Sequence, residues 1–177
     1  MSRVKVLVVG PVKAGKSTIA NILADVADGP AQSYKPTRGV RILETEKKPP
    51  LSVARQFSGD VTVELWDVSG DTMYEKCWPI ILKGAQGILF IYNPEEEDVE
   101  KNMEFYINQF AKSAKILPKQ CMAFAHHHNC EGEFSKSKPL SCFKGVPVTD
   151  AAAEDSSSIV PPFDKYFQHL LTIVAEK

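Results

Sequence analysis

The chain has little cysteine, no basic surplus and no long apolar run, and each shortage removes a class of function. Cysteine stands at four positions, Cys77, Cys121, Cys130 and Cys142. No C-x-x-C pair accompanies them, and Met1-Ser2-Arg3 runs straight into a strand-like segment with no room for a secretory leader. The four are therefore expected to be reduced thiols of the cytoplasm. Lys and Arg number 21 against 22 Asp and Glu, for a net charge of −1. Such a balance gives no electrostatic reason for a nucleic-acid or anionic-membrane partner. The longest apolar candidate, residues 78–92, is broken by Lys83, Gly84 and Gly87, so no bilayer span is expected. Neither Ser2 nor the final Ile173-Val174-Ala175-Glu176-Lys177 offers a lipidation site, so no direct membrane anchor is expected. There is no internal repeat. At 177 residues, a single domain spanning 1–177 and monomeric by itself is expected, large enough for a sizeable core.

What is present is a phosphate-binding pattern near the start. Gly10-Pro11-Val12-Lys13-Ala14-Gly15-Lys16-Ser17 fits G-x-x-x-x-G-K-[ST]. An apolar run, residues 4–9, precedes it and reads as a buried strand. Residues 18–27 follow with apolar side chains at helical spacing. Gly15 permits a backbone turn that a side chain would block. Amides between the glycines can then cradle an anion at a helix N-terminus, where the dipole favours negative charge. Lys16 is placed to reach β- and γ-phosphates, Thr18 to continue the phosphate contacts, and the Ser17 hydroxyl to ligate Mg²⁺.

The rest of the chain alternates strand and helix patterns. Strands are expected over 39–45, 61–66, 87–92, 120–125 and 146–148. Helices are expected over 16–27, 75–83 (with Pro79 bending or restarting it), from the acidic stretch after Pro94 to about residue 112, and from Pro161-Pro162 onward. Residues 46–59, with Lys47-Lys48-Pro49-Pro50, read as a long connection, and 127–145 as irregular. Phe163, Tyr166, Phe167, Leu170, Leu171 and Val174 make an apolar stripe on the last helix. This alternation predicts an α/β sheet with helices on both faces.

Two further stretches gain meaning from the phosphate loop. Val63-Glu64-Leu65-Trp66-Asp67 is a strand ending in a carboxylate, and Gly70 follows three residues later. Asp67 is positioned to approach Mg²⁺ through a bound water, because Mg²⁺ keeps much of its hydration. Gly70 can offer its amide to a γ-phosphate with no side chain in the way. Tyr34-Lys35-Pro36-Thr37-Arg38-Gly39 lies between the first helix and second strand. A Thr37 hydroxyl there can reach Mg²⁺ and order its loop when a triphosphate is bound.

The phosphate loop, Pro36-Thr37-Arg38-Gly39, Trp66-Asp67-Val68-Ser69-Gly70 and Lys83-Gly84-Ala85-Gln86-Gly87-Ile88 follow one another in an order and spacing that resembles the Ras-like small GTPases, the Rab branch especially. The chain resembles more closely the Rab-like small GTPases of the intraflagellar transport complex B, the Rab-like protein five family. Gly39-Val40-Arg41-Ile42-Leu43-Glu44, Glu64-Leu65-Trp66-Asp67, Gly70-Asp71, Cys77-Trp78-Pro79, Gln120-Cys121-Met122 and Ala125-His126-His127 carry that likeness, which thins after about residue 128. The resemblance implies a P-loop NTPase fold with a six-stranded mostly parallel sheet, strand two antiparallel, and about five helices. It implies GTP or GDP with Mg²⁺ as cofactors, Ser17 and Thr37 as metal ligands, Asp67 behind them, and switch segments over 30–39 and 68–78. It also implies coiled-coil subunits of that complex as partners, and work in the cytoplasm, the cilium or flagellum and its basal body.

Three departures from the small-GTPase pattern bear on mechanism. Asp71 stands where the water-orienting Gln is usual, and a carboxylate cannot donate to that water or to the γ-phosphate. Val12 places a side chain where Gly is common. Both predict slow hydrolysis, and no catalytic residue is assigned. The guanine-reading Asn-Lys-x-Asp is absent, with His126-His127-His128-Asn129 in its place. His126, His127 and Asn129, with Thr149 and Asp150 as the nearest base-loop candidate, would form the base pocket. An Asn129 amide facing a guanine donor costs about 1–3 kcal/mol. A metal held by His126, His127, His128, Cys130 and Cys142 is disfavoured, because three adjacent histidines project in different directions.

The expected function is that of a nucleotide-binding switch or scaffold. An active GTPase or a small-molecule kinase is the second reading. The kinase needs a basic lid, yet residues 46–59 and 129–145 carry only Arg55 as arginine. A nucleotide-free pseudo-GTPase is the third; the intact Gly15-Lys16-Ser17 counts against it.

Overall fold

Strand alternation decides which side chains of this chain meet which helices. The computed structural model describes residues 2–27, 29, 33–128 and 134–176. Six strands form one sheet: β1 (Ser2–Val9), β2 (Val40–Lys47), β3 (Val61–Val68), β4 (Gly87–Tyr92), β5 (Cys121–His127) and β6 (Val148–Ala152). Their order is β2-β3-β1-β4-β5-β6. Only β2 pairs antiparallel; every other neighbouring pair is parallel. Four α-helices lie among the described residues: α1 (Lys16–Leu23), α2 (Trp78–Leu82), α3 (Val99–Tyr106) and α4 (Val160–Ala175). About five were expected. Thr72–Cys77 and three-residue segments elsewhere are 3-10 turns, too short to count as further α-helices.

Along β1, Val4, Val6 and Val8 pack with Ile19, Ile22 and Leu23 of α1 and with Phe163, Phe167 and Leu170 of α4. Leu7 and Val9, one residue out of phase, pack on the other face with Trp78 and Ile81 of α2 and Met103 of α3. The period of two therefore builds two cores from one strand. The stripe on α4 is buried as its spacing predicts, with Val174 half-buried at its end.

Several boundaries moved. The helix expected to residue 27 stops at Leu23, because Asp25 turns left-handed (φ 57°) and the Val26 and Asp25 amides donate back to the Asn21 and Ile22 carbonyls. That closure is a Schellman motif with Asp in the usual Gly place. Pro79 sits in the first turn of α2, where its missing N–H costs nothing. The helix expected to start just after Pro94 begins only at Val99: the Asn93 side chain accepts from the Glu95 amide at 3.0 Å and closes a turn there instead. Beyond Tyr106 the chain continues as a π-helical turn, Ile107–Lys112. β5 runs two residues past its expected end, through His126 and His127, and β6 lies at Val148–Ala152 instead of 146–148. No helix among the described residues is long and apolar enough to cross a membrane.

Candidate nucleotide-binding site

The ends of β1 and β3 and the start of α1 bring the expected site residues together. Lys16 opens α1 and lies only 6% exposed. Its Nζ donates to the Pro11 carbonyl at 2.6 Å, so the ammonium curls over the loop that precedes it. Burial pulls its pKa down to about 8, while the Asp67 and Glu96 charges push the other way. Val12 is 47% exposed on that loop.

Beside Lys16, three oxygens converge. The Ser17 hydroxyl donates to Asp67 Oδ2 at 2.7 Å and lies 2.8 Å from Thr37 Oγ1, which is 3.4 Å from the same Oδ2. Asp67 is fully buried, and its Oδ1 has no partner among the described residues. A buried carboxylate with an unused oxygen, beside two hydroxyls, is the hard-oxygen donor set that Mg²⁺ requires. The residues present therefore fit the metal that the motif implies: Ser17 and Thr37 would hold it, with Asp67 behind them.

Gly70 closes the site from the other side. A β-carbon there would lie 2.6 Å from the Val12 nitrogen and from the Pro11 carbonyl carbon, so only glycine allows β3 to press its following loop onto the phosphate loop. Its carbonyl accepts from the Tyr106 hydroxyl of α3 at 2.8 Å. Burial, then the Asp71 and Glu96 charges, pushes Tyr106 up to about 12, so the phenol keeps its proton and donates. Trp78 packs against Phe105, Tyr106 and Phe110, which ties the segment after Gly70 to α3. Asp71 faces its own chain: its Oδ1 accepts from the Met73 amide at 2.9 Å and caps the 3-10 turn.

The base-pocket candidates divide. His126 lies under the phosphate loop, its Nδ1 2.9 Å from the Ala14 carbonyl and its ring where a Gly15 side chain would be. Since a carbonyl only accepts, Nδ1 carries the proton, and Nε2 is a buried acceptor without a partner among the described residues. His127 and Asp150 are brought together with each other: His127 Nε2 lies 2.9 Å from Asp150 Oδ1, which also accepts from the Ser137 amide. Phe134 stacks on His127 at 4.8 Å, so this pair anchors the segment after residue 133 to the sheet. Thr149 precedes Asp150 on β6. Asn129, Cys130 and residues 30–32 lie outside the described residues. Among the described residues no group of three or more His, Cys, Asp or Glu side chains is placed to hold a metal.

Burial pulls the His126 pKa down to about 4, outweighing the Ala14 carbonyl, which raises it; His128 and His127 add to the lowering. An unfolded His takes up a proton near pH 6.5, and His126 in the fold does so only near 4. Its contribution to stability is therefore complete above pH 6.5 and is lost as pH falls through 4, by about 3 kcal/mol in all. Replacing His126 with Asn, which can still donate to Ala14, should flatten that slope. Urea denaturation of both proteins at pH 7 and pH 4.5 measures it, and equal losses would refute the assignment.

Residues 5–128 match the family described as Roc, Ras of Complex, domain of DAPkinase. The intraflagellar transport protein 22 homolog of Danio rerio is 33% identical over 178 residues, 99% of this chain and 94% of the relative. The chain belongs to the intraflagellar transport protein 22 family. The Homo sapiens homolog is 34% identical over 180 residues, again covering 99% of this chain and 94% of the relative. Among solved structures, the GTP-bound T. brucei IFT22/74/81 crystal structure matches with TM-score 0.77 and 28% identity over the whole of both chains. The GDP-bound T. brucei IFT22 crystal structure matches with TM-score 0.69, covering 97% of this chain and 98% of that one. As a member of that family the chain is small-GTPase-like, with strand two antiparallel as expected.

Two residues of this site escaped the sequence reading. Arg41 of β2 reaches Asp67, and Tyr106 of α3 reaches Gly70. Tyr106 leaves no sequence signal, since a Tyr on an amphipathic helix reads as packing. Arg41 does leave one, because a cation on a strand otherwise set to pair beside Asp67 has a partner within reach.

Proposed function

We propose that this chain binds GTP and GDP with Mg²⁺ at residues 10–17, Thr37 and Gly70, and serves as a switch or scaffold subunit of the intraflagellar transport complex in cilium or flagellum assembly. The observation that carries the reading is the convergence of Ser17, Thr37 and Asp67 beside a buried Lys16. A chain keeping this fold only for assembly has no need of a desolvated ammonium next to three hard oxygens. GTP-bound and GDP-bound structures of T. brucei IFT22, and its structure with IFT74/81, support guanine nucleotides and complex subunits as the ligands and partners here. We take those partners to be coiled-coil subunits of complex B, the chain to be monomeric on its own, and its places to be the cytoplasm, cilium or flagellum and basal body.

Hydrolysis is slow in this reading. Asp71 is occupied as the cap of its own turn and bears the wrong charge to stabilise a transferring phosphoryl group. Nucleotide extracted from the purified protein is expected to be GDP or GTP. Single-turnover hydrolysis with Mg²⁺ should run at about 10⁻⁴ s⁻¹ or slower, the scale of an unassisted small GTPase. Asp71→Gln should raise the rate about a hundredfold, the lower reach of a positioned proton-transfer group. Turnover of several per second would establish the active enzyme instead. Absence of nucleotide at millimolar concentration would leave only the pseudo-GTPase.

A further inference from the structure

The oxygen cluster at the end of β3 has a permanent cation built into it. β2 pairs antiparallel with β3 in a register that sets Arg41 directly opposite Asp67, so both side chains leave the sheet on the same face. One Arg41 guanidinium nitrogen lies 3.2 Å from Asp67 Oδ2, 3.3 Å from the Ser17 carbonyl and 2.8 Å from Asn21 Oδ1. The last two acceptors belong to α1, so the helix that carries Ser17 and the strand that carries Asp67 share one positive group. Asp67 is fully buried while the Arg41 side chain is 41% exposed, so the pair is partly shielded from solvent and salt. A guanidinium does not lose its proton, so the charge is present whatever else enters the site.

We propose that Arg41 acts as a resident counter-charge at the Mg²⁺ position, so that nucleotide retention by this protein depends only weakly on Mg²⁺. Asp67 and Arg41 together carry no net charge. Without Arg41, Asp67 would present a full negative charge to a divalent ion. An opposite charge this close offsets the negative potential at the carboxylate oxygens. Their pull on a divalent ion falls for the same electrostatic reason. At the same time the guanidinium keeps the end of the phosphate loop positive when Mg²⁺ is withdrawn. The inference rests on the nucleotide-binding reading and concerns the regulation of that same site.

The test uses the full chain loaded with a fluorescent GDP analogue. Its release into excess unlabelled GDP is followed in Mg²⁺ and in EDTA, beside circular dichroism of each protein. EDTA should speed release from the wild type about tenfold or less. For Arg41→Met, which keeps the stem and loses the charge, it should speed release about a hundredfold or more. Arg41→Lys keeps the charge and should stay near the wild-type ratio. A wild type that EDTA already accelerates a hundredfold overturns the proposal without recourse to any variant. So does an Arg41→Met ratio equal to wild type, or an Arg41→Lys ratio equal to that of Arg41→Met, since either leaves Arg41 as a tie between β2 and α1 only. Failure to load GDP even in Mg²⁺ refutes the nucleotide-binding reading, a different outcome, and the inference falls with it.

Discussion

Replacing Gly10 with alanine is expected to destabilise the fold by about 3–5 kcal/mol, the range of the most severe single substitutions. Gly10 ends β1 with φ 151°, and a β-carbon there would overlap the Ile91 carbonyl oxygen of β4. That neighbour is backbone, held by the parallel pairing of β1 with β4 through Val9 and Phe90, so no side-chain rotation relieves the clash. Either the two central strands separate or the phosphate loop is pushed out of line. Gly59→Ala is the control. Gly59 also has positive φ (100°), but nothing lies within 4 Å of its β-carbon position, so only the backbone strain of about 1–2 kcal/mol applies. Urea denaturation of the three proteins distinguishes them. A Gly10→Ala midpoint equal to that of Gly59→Ala would show that β4 yields to the added carbon.

Lys16→Met is expected to lower GDP and GTP affinity by a hundred- to a thousandfold, about 3–4 kcal/mol, while leaving the ligand-free fold as stable as before or more so. The two effects have opposite signs for one reason. In the ligand-free protein Lys16 pays a desolvation penalty, visible in its pKa of about 8, against one hydrogen bond to Pro11. Methionine keeps the buried stem and removes the charge, so the penalty goes. Phosphates recover that charge in a charge-assisted contact, and the variant cannot make it. Titration calorimetry with GDP and a thermal melt without nucleotide measure both sides. An affinity within threefold of wild type would mean that Lys16 serves only to hold the Pro11 turn. A large fall in the melting temperature would mean that it is structural first.

The phosphate-loop pattern was legible before any coordinates because its parts are close in sequence. Eight consecutive residues define the loop, and strand before and helix after follow from local periodicity. The end of β3, with Asp67 and then Gly70, was recognisable for the same reason. Legibility failed where tertiary packing, or a local side-chain turn, overrode the strand and helix periodicity. β5 continues through His126 and His127 because both rings find partners, Ala14 under the phosphate loop and Asp150 on β6. The acidic stretch after Pro94 fails to start its helix because the Asn93 side chain closes a turn first. Asp71 was readable as a departure from the usual Gln. That its carboxylate caps the Met73 amide depended on the path of the loop.

By itself, the amino-acid sequence determined an α/β fold with a P-loop pattern, a Ser, Thr and Asp at the spacing such a pattern expects, and no Gln after Gly70. Those features are spacings along the chain, and spacing along a strand or one helical turn converts directly into distance. Only the tertiary structure decided which charges meet. Arg41 reaches Asp67 because β2 runs antiparallel in one particular register, and a slip of one residue would turn Arg41 to the opposite face. Tyr106 reaches Gly70 across 36 residues, and His126 reaches Ala14 across 112, because the order β3-β1-β4-β5 brings the carboxyl ends of these parallel strands and α3 together at one end of the sheet. Contacts of that span are fixed by burial of the two apolar faces, and no local pattern encodes them.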